Sequence, residues 1–401
     1  MKNRKALLAI IGVVAVIIAV LIFRFFQDRG PQKTEECKIG AVLLLSGDNA
    51  LWGQNARKAI EMLSDDINAG GGINGKPLRV IFEDSKGDPK TAVSAFRKLV
   101  DVHRVPVVLG DMLSSTTLAM APLANQYATV LLGISCSSPA ISHAGPFVYR
   151  VWPSDEYEGR VFAEWLFNSG YNNVAIAYLD NDYGIGLKEA FKTRFSGLGG
   201  KVVAQEAYDA SDRDFRHIVS KLAQAGAQVI YVVGYYEDTA RMVKQLREAG
   251  VRAKIAGTSS AVHQRLFEIA GKAAEGFIAA VVNDFDLENL SPGQKKFLDS
   301  FRARYGEDPD WAATHGADAL LVAVSCLRQQ GCTNGEAIKN CIDTQRSFVA
   351  VNSGVVFDEN GDVVSKPIAI KEVRGQKFVT IGKEKSREES SSGSDKETGH
   401  D

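Results

Sequence analysis

The sequence predicts an α/β protein made of two doubly wound parallel sheets. From Lys38 to about residue 150, short apolar strands alternate with helices, which is typical of a parallel sheet covered on both faces. The alternation breaks at residues 149–155, YRVWPSD, and a second series of similar length follows. With 401 residues, of which 45% are hydrophobic and 24% charged, the chain is long enough for two globular domains.

The first series opens with a buried strand at 38–45 and a helix at 52–68. In that helix Ala56, Ile60, Leu63 and Ile67 recur every three or four residues and form one apolar stripe, and the three glycines at 70–72 end it. Further strands are predicted at 78–82, 107–109 and 130–132, and a helix at 89–101.

The second series is predicted to contain helices at 156–169, 184–196, 212–225 and 237–249 and strands at 173–178, 201–204, 228–232 and 253–256. Beyond it come a strand at 276–282 and helices at 291–305, 310–328 and 335–342. Strands at 354–358, 368–373 and 377–381 follow, with Asn360-Gly361 as a hairpin turn. The late helices have no strands of their own, so we expect them to return to the first domain and the final strands to return to the second.

Two hydroxyl-rich loops follow consecutive buried strands of the first domain. Residues 114–117 follow the strand at 107–109, and residues 135–138 follow the strand at 130–132. Loops at the carboxyl ends of neighbouring parallel strands face one cleft, and backbone N–H groups at a helix start attract a small anion such as a carboxylate. The alternative is that these serines are ordinary helix caps. Their paired occurrence favours an anion site that needs no metal or cofactor.

The N-terminus predicts a membrane anchor. An apolar run of 18 residues, Ala6–Phe23, follows three basic residues and is long enough to cross a bilayer. Residues 24–30 contain no small-x-small cleavage site, so we expect an uncleaved signal anchor over 1–30, with the body on the extracytoplasmic side. The alternative is a cleaved signal peptide and a soluble body. Residues 383–401 lack apolar side chains and predict a disordered tail.

The cysteines and the net charge indicate which disulfides, metal sites and partners are compatible with the sequence. An exported body permits disulfides, and Cys332 and Cys341 are candidates to close a small loop. No cysteine and histidine spacing typical of a zinc site is present. A formal net charge of −1 argues against a nucleic-acid partner.

Enzyme motifs are also missing from the sequence. No G-x-x-x-x-G-K-[ST] occurs, and no predicted strand is followed by G-x-G-x-x-G. None of the six histidines lies near a serine or cysteine in a known nucleophile motif. We therefore expect a binding protein rather than an enzyme.

From about Lys38 to Ile381 the chain resembles the leucine/isoleucine/valine-binding group of type I periplasmic solute-binding proteins, the receptors of ABC importers. The segments that carry the resemblance are IGAVLLLSG, DINAGGGINGKPL with EDSKGDP, APLANQYATVLLGISCSSP, YLDNDYG, GYYEDTARMVKQLREAG, HGADA and GVVFDENGD. The resemblance implies two lobes that close on a ligand about three hinge crossings, near 152–155, 283–286 and 345–350. Lobe I would comprise 36–153 and 286–346, and lobe II would comprise 154–285 and 347–382.

The resemblance also implies a set of ligand-binding residues, and an ABC permease as partner. In lobe I, the two serine-rich loops would grip an amino acid through Ser114, Ser115, the backbone of Cys136, and Ser137. The remaining positions that match are Trp52 at the pocket mouth, and Asp155, Tyr183, Tyr235 and Ser259 on lobe II.

Ser259 departs from the family pattern. Many relatives that bind α-amino acids have a glutamate at this position, which pairs with the ligand ammonium. In this chain either Asp155 supplies the missing charge, or the ligand is a carboxylate or amide without an amino group. A different role, as the ligand-sensing module of a membrane signalling protein, is compatible with the same fold.

Overall fold

A computed structural model describes residues 35–282, 285, 287, 289–352 and 354–384. The predicted anchor at 1–30 and residues 385–401 of the predicted tail lie outside this range. Among the described residues no helix has the length and apolar character needed to cross a membrane.

The first sheet contains five parallel strands in the order β2-β1-β3-β4-β5. These strands are β1 Cys37–Leu43, β2 Leu78–Asp84, β3 Val107–Leu109, β4 Val130–Gly133 and β5 Val148–Arg150. The three central strands β1, β3 and β4 are buried almost throughout, as expected for a parallel sheet covered on both faces.

The second sheet has the order β14-β13-β10-β9-β8-β6-β7. Its parallel part consists of β6 Asn173–Leu179, β7 Lys201–Tyr208, β8 Val229–Val233, β9 Lys254–Gly257 and β10 Ile278–Val282. Two short strands, β11 Ser347–Phe348 and β12 Val355–Val356, form a separate antiparallel ladder. The last strands, β13 Ile368–Arg374 and β14 Lys377–Glu384, form a hairpin that joins β10 in antiparallel fashion.

The α-helices of the described chain alternate with these strands. They are α1 Ala50–Ala69, α2 Pro89–Lys98, α3 Ser114–Gln126, α4 Asp155–Asn168, α5 Asp182–Gly197, α6 Arg216–Gln224, α7 Tyr236–Glu248, α8 Gln264–Ala270, α9 Pro292–Tyr305, α10 Trp311–Gln330 and α11 Gly335–Gln345. The late helices pack on the first sheet's side of the protein. A Cβ added to Gly316 of α10 would lie 2.9 Å from the Cβ of Ala56 in α1, and Phe297 and Phe301 of α9 share a cluster with α1.

The chain passes between the two sheets three times. The first passage, Val151–Ser154, joins β5 to α4, and the second lies between β10 and α9. Residues 283, 284 and 286 of the second predicted crossing lie outside the described residues. After α11 the chain stays bonded to first-sheet elements through Asp362 and Lys366, and it enters the second sheet at β13.

The structure contains two disulfides, Cys37–Cys332 and Cys326–Cys341. The predicted Cys332–Cys341 bond is therefore wrong. Both cysteines are bonded to other partners, Cys332 to Cys37 with Cα atoms 5.4 Å apart and Cys341 to Cys326 with Cα atoms 5.7 Å apart. Cys326 instead lies beside Cys341 because α10 and α11 pack together, and β1 places Cys37 next to Cys332. Cys136 is a free, buried thiol.

The predicted Asn360-Gly361 turn forms but joins different segments. Asp358 accepts hydrogen bonds from the backbone N–H groups of Asn360 and Asp362, and Gly361 has a φ of 77° that favours glycine. The turn links only the isolated pair Phe357 and Val363, because β12 pairs with β11. The hairpin of the second sheet turns later, between β13 and β14.

Candidate functional site

The structure brings the two serine-rich loops together. Ser114 is the first residue of α3, and its Oγ accepts hydrogen bonds from the backbone N–H groups of Ser137 (3.2 Å) and Ser138 (3.1 Å). A second link joins the Ser135 hydroxyl to the Met112 carbonyl at 2.8 Å. Because β3 and β4 are adjacent and parallel, their two loops open at the same edge of the sheet.

The start of α3 offers donors to an anion. The residue before it, Leu113, has no polar side chain to cap the helix, and the first N–H groups of any helix lack intrahelical acceptors. Ser115 is half-buried beside Ser114. The N–H groups of Ser137 and Ser138 are already bonded to Ser114, so the donors to an anion are the first turn of α3 and the serine hydroxyls.

Behind the second loop lies Arg150, which sequence reasoning missed. Its guanidinium is fully buried and donates to the Ser138 carbonyl (2.8 Å), the Ser142 hydroxyl (2.8 Å) and the Asp362 carboxylate (2.7 Å). Ser142 in turn donates to Asp362 at 2.6 Å. Arg150 could have been found in the sequence, because it is a charged residue at the end of the otherwise apolar strand β5. Arg150 fixes the Ser138 carbonyl and joins the loop to the segment before β13.

Cys136 is packed rather than exposed to the cleft. Its side chain is fully buried, and burial raises the pKa of the thiol to about 11. A Cβ added to Gly133 would lie 2.2 Å from its Sγ, so the thiol fills the space that this glycine leaves. Only the backbone of Cys136 is therefore suited to contact a ligand.

Asp155, the first residue of α4, lies directly against the second loop. Its backbone N–H donates to the Ser137 carbonyl at 2.8 Å, and its side chain is 1% exposed. Among the described residues neither carboxyl oxygen of Asp155 accepts a well-formed hydrogen bond, although the Ser137 side chain lies close enough to lower its pKa. Burial, followed by the nearby Glu158 carboxyl, raises the pKa of Asp155 well above its usual range, and Ser137 and Arg150 offset only part of this rise.

Glu158 is a second buried acid that the sequence prediction did not include. It lies three residues after Asp155 on the same helix face and is 3% exposed. Its two oxygens accept from the backbone N–H (3.1 Å) and the hydroxyl (2.9 Å) of Ser259. Burial raises the pKa of Glu158 to about 7, although the two bonds from Ser259 lower it. The structure thus places the predicted site residue Ser259 as the partner of Glu158.

Aromatic side chains from helices on both sides of the cleft meet at one place. Trp52, in the first turn of α1, packs edge-on against Tyr235 with ring centroids 5.3 Å apart, and Tyr235 stacks on Tyr183 at 5.4 Å. Trp311 at the start of α10 lies 5.2 Å from Trp52. Burial and then the charge of Glu158 raise the pKa of Tyr183, whose hydroxyl donates to Thr258 at 2.9 Å. The predicted aromatic residues therefore form one wall beside the acids.

The chemistry of this cluster suits a small molecule that carries both charges. Uncharged donors at the start of α3 can hold a carboxylate, and two buried carboxyl groups lie next to them. Within the described part of the chain, no group of three or more histidine, cysteine or acidic side chains is placed to hold a metal ion.

Comparison with known proteins gives a consistent picture. A family model described as periplasmic binding protein matches residues 36–377. A leucine-, isoleucine-, valine-, threonine- and alanine-binding protein from Pseudomonas aeruginosa is 28% identical over 330 residues, 81% of this chain and 87% of that protein. The Leu/Ile/Val-binding protein of Escherichia coli K12 is 26% identical over 335 residues, 82% of this chain and 88% of that protein.

Solved structures share the fold. A leucine-binding protein from Thermotoga maritima has a TM-score of 0.81 at 24% identity, covering 88% of this chain and 99% of its own. An ABC-transporter solute-binding protein from R. palustris, solved in complex with benzoate, has a TM-score of 0.79 at 19% identity, covering 88% of this chain and 97% of its own.

Proposed function

Because the chain belongs to the periplasmic binding protein family, we propose that it is the extracytoplasmic receptor of an ABC importer and captures an amino acid between two closing lobes. Proteins of this family bind solutes and are not enzymes, and the chain is accordingly not an enzyme.

The contact between the two serine-rich loops and Asp155 supports this proposal most directly. The Ser137 N–H donates to the Ser114 hydroxyl and the Asp155 N–H donates to the Ser137 carbonyl, so anion donors and a buried carboxyl lie side by side. Helix N-terminal N–H groups and hydroxyls bind a carboxylate without a buried cation. Such a grip is suited to release, because it loses its ligand when the lobes part.

The similar proteins bind two classes of ligand, amino acids and a carboxylate without an amino group. The P. aeruginosa relative is named for five aliphatic and hydroxylated amino acids, whereas the R. palustris structure holds benzoate, which has no amino group. The buried Asp155, whose carboxyl accepts no well-formed hydrogen bond among the described residues, favours the amino acid for this chain, since benzoate would bring no cation to it.

We place lobe I at residues 36–153 and 286–367, and lobe II at 154–285 and 368–382, because residues 347–367 remain bonded to the first lobe through Asp362 and Lys366. Contacts that close the two lobes include the Trp52–Tyr235 ring pair and an ion pair between Asp48 and Arg213 at 2.7 Å. Residues 1–30 would hold the body at the outer face of the cytoplasmic membrane, beside an ABC permease.

Thermal-shift screening of the body, residues 36–384, tests the ligand class. The panel contains the common amino acids, short amides, aromatic acids and 2-oxo acids, with sugars and nucleosides as controls. A ligand present at 100 times its Kd stabilises by about 2.7 kcal/mol, which is a rise in Tm of about 4 °C at this size. A rise with sugars or nucleosides and none with any carboxylate would contradict the proposal.

A paired substitution tests the site. Ser114→Ala together with Ser137→Ala should weaken binding of the best ligand by about 10–100-fold, since hydroxyl contacts to a charged group are lost. The matched control is Ser94→Ala, whose exposed hydroxyl bonds only within α2. Unchanged affinity in the double variant, with an unchanged Tm, would show that these serines only pack the two loops together.

A further inference from the structure

The two disulfides of the protein cross one another along the chain. Cys332 lies inside the loop that the Cys326–Cys341 bond closes. Its partner is Cys37, which lies 295 residues earlier. Each bond therefore joins cysteines that are not consecutive in the sequence, and the fifth cysteine, Cys136, stays free. Five thiols and two bonds allow about 15 pairings, of which one is native.

The unfolded chain favours a wrong bond at Cys332. This cysteine is nine residues from Cys341 but 295 residues from its native partner Cys37. The probability that two points of a flexible chain meet falls with about the 3/2 power of their separation, so the short contact is about 200-fold more frequent. A bond between Cys332 and Cys341 takes both cysteines away from their native partners.

The order in which the cysteines are synthesised favours a second wrong bond, between Cys37 and Cys136. Members of the periplasmic binding protein family lie outside the cytoplasm, where thiols are oxidised to disulfides. Cys37 and Cys136 come first, and the next cysteine is Cys326. At about 5–20 residues per second, the chain between Cys136 and Cys326 takes about 10–40 s to make. This interval is long enough for a disulfide to form.

A bond between Cys37 and Cys136 is incompatible with the first sheet. Cys37 is the first residue of β1, whereas Cys136 follows the carboxyl end of β4. Both strands run parallel to β3, which lies between them, so the two cysteines lie at opposite edges of the sheet. Both side chains are fully buried in the native fold. The bond must therefore be broken before the sheet can form.

The chain itself supplies little of the thiolate that breaks such bonds. Disulfide exchange begins when a thiolate attacks one sulfur of a disulfide and releases the other. A chain with two wrong bonds keeps one free thiol, and an ordinary cysteine is only about 3% thiolate at neutral pH. A cysteine with a lowered pKa, as in a C-x-x-C motif at a helix N-terminus, is largely thiolate under the same conditions. A second protein with such a cysteine therefore accelerates the exchange.

We propose that this protein is a substrate of an extracytoplasmic thiol–disulfide isomerase, which resolves non-native bonds of Cys37 and Cys332 during maturation. An oxidant of the disulfide class first takes two electrons and two protons from each pair of thiols. The isomerase thiolate then attacks a non-native bond and forms a mixed disulfide. A thiolate of the chain displaces the isomerase as the native bond forms, so one disulfide replaces another without further oxidation. This inference goes beyond the proposed function and needs only the extracytoplasmic location.

The test maps the bonds formed by the full-length chain in detergent. Reduced, unfolded protein is oxidised with diamide, which accepts two electrons and two protons for each disulfide. The product is then incubated in reduced glutathione with or without a thiol–disulfide isomerase. Trypsin cleaves after Arg328 and Lys339, so the three last cysteines fall on separate peptides and mass spectrometry identifies each pair.

We expect both native bonds in fewer than about one fifth of the chains after diamide alone, since about one pairing in 15 is native. The isomerase should speed the recovery of both native bonds at least about 10-fold over reduced glutathione alone, because it supplies more thiolate. Isomerase whose active-site cysteines are alkylated is the control and should have no effect.

Two variants isolate the crossed bonds. Cys136→Ala keeps both of them and should still depend on the isomerase. Cys37→Ala/Cys332→Ala leaves only the Cys326–Cys341 bond, whose separation of 15 residues makes this contact at least about 40-fold more frequent than either contact with Cys136. This variant should reach its native bond with diamide alone, and the peptide map reads that bond whether or not the variant folds.

Three results would overturn the proposal. Both native bonds could form in most chains with diamide alone, or the isomerase could leave their recovery no faster. In the third case Cys37→Ala/Cys332→Ala, which has no crossed bonds, would need the isomerase as much as the unmodified protein. Ligand binding enters none of these measurements, so the proposed function stands or fails separately.

Discussion

Replacing Arg150 by methionine should destabilise the protein and weaken its ligand site at the same time. Methionine keeps most of the length of the buried side chain but removes the charge and all three hydrogen bonds to Ser138, Ser142 and Asp362. The Ser138 carbonyl then loses its bond from the guanidinium, and the Asp362 carboxylate loses its only ion pair in the described structure.

The loss of stability in Arg150→Met can be estimated from the Asp362 carboxylate, which stays in place without its cation. Removing one partner of a buried ion pair costs about 3–5 kcal/mol, because the other charge stays buried without compensation. The Asp362 side chain is 12% exposed and keeps its bond from Ser142, which places the effect toward the lower end. At about 1.4 °C per kcal/mol for a protein of about 350 residues, a loss of about 3–4 kcal/mol should lower Tm by about 4–6 °C. The loosened loop should also weaken ligand binding about 10-fold, the effect of one hydrogen bond.

The assay is thermal unfolding followed by circular dichroism, with and without ligand. Arg216→Met is a matched control, because the Arg216–Asp214 ion pair lies at the surface with side chains 83% and 56% exposed, and its loss should leave Tm unchanged. The double variant Arg150→Met/Asp362→Leu removes both charges and should recover part of the lost stability.

Two results would refute this reasoning. If Arg150→Met melts within about 2 °C of the unmodified protein, the pair contributes far less than a buried ion pair should. If the double variant is no more stable than Arg150→Met alone, the loss does not come from a carboxylate left without its cation.

Two further predictions concern closure and pH. Gly186 lies where α5 meets the first lobe, and an added Cβ would be 2.7 Å from Cδ of Pro139. Gly186→Val should therefore hold the lobes apart and weaken ligand binding at least about 10-fold. Small-angle scattering in the presence of ligand measures the opening, and a binding titration measures the affinity. The control is Gly197→Val, because nothing lies within 4 Å of its added Cβ. Amino-acid affinity should rise between pH 6 and pH 8, because burial raises the pKa of Glu158 to about 7 and only its ionised form attracts an ammonium. Titration calorimetry of Glu158→Gln should show an affinity that depends less on pH, since Asp155 is then the remaining acid beside the site. If the affinity of the variant rises with pH as steeply as that of the unmodified protein, Glu158 is not the group that titrates.

The local pattern of the sequence was sufficient to locate β1 to β4 and to bring the serine loops together, but it did not predict the short strands β5 and β11. Runs such as VVL at 107–109 and VLLG at 130–133 are apolar on every side, and a strand of that kind belongs inside a parallel sheet. Neighbouring parallel strands end at one edge, so the positions of Ser114 and Ser137 followed from their strands alone. That the Ser114 hydroxyl accepts from the second loop did not follow, because this depends on side-chain direction.

The sequence pattern could not predict contacts between residues that are far apart in the chain. Arg150 and Asp362 are 212 residues apart, and Cys37 and Cys332 are 295 apart. Nothing near either residue marks its partner. The bonds from Asp362 and Lys366 to first-sheet residues also keep the chain on that side beyond 345–350, where the third crossing was expected. By contrast, Glu158 could have been found, since its three-residue spacing from Asp155 puts both on one helix face.

The arrangement of the site relative to the hinge suggests an order for binding and closure. Asp155 follows the first crossing directly and is hydrogen-bonded to Ser137, so a rotation about that crossing moves these two groups little relative to one another. Trp52 lies in α1, on the side of the first sheet, and Tyr235 lies at the start of α7, on the side of the second sheet. They meet through their rings, so the same rotation separates them. In the function proposed above, the charged ends of the ligand would therefore bind near the hinge while the lobes are open. The aromatic wall then completes around the rest of the ligand as they close, which links the fit of the side chain to the closed state that a permease would recognise.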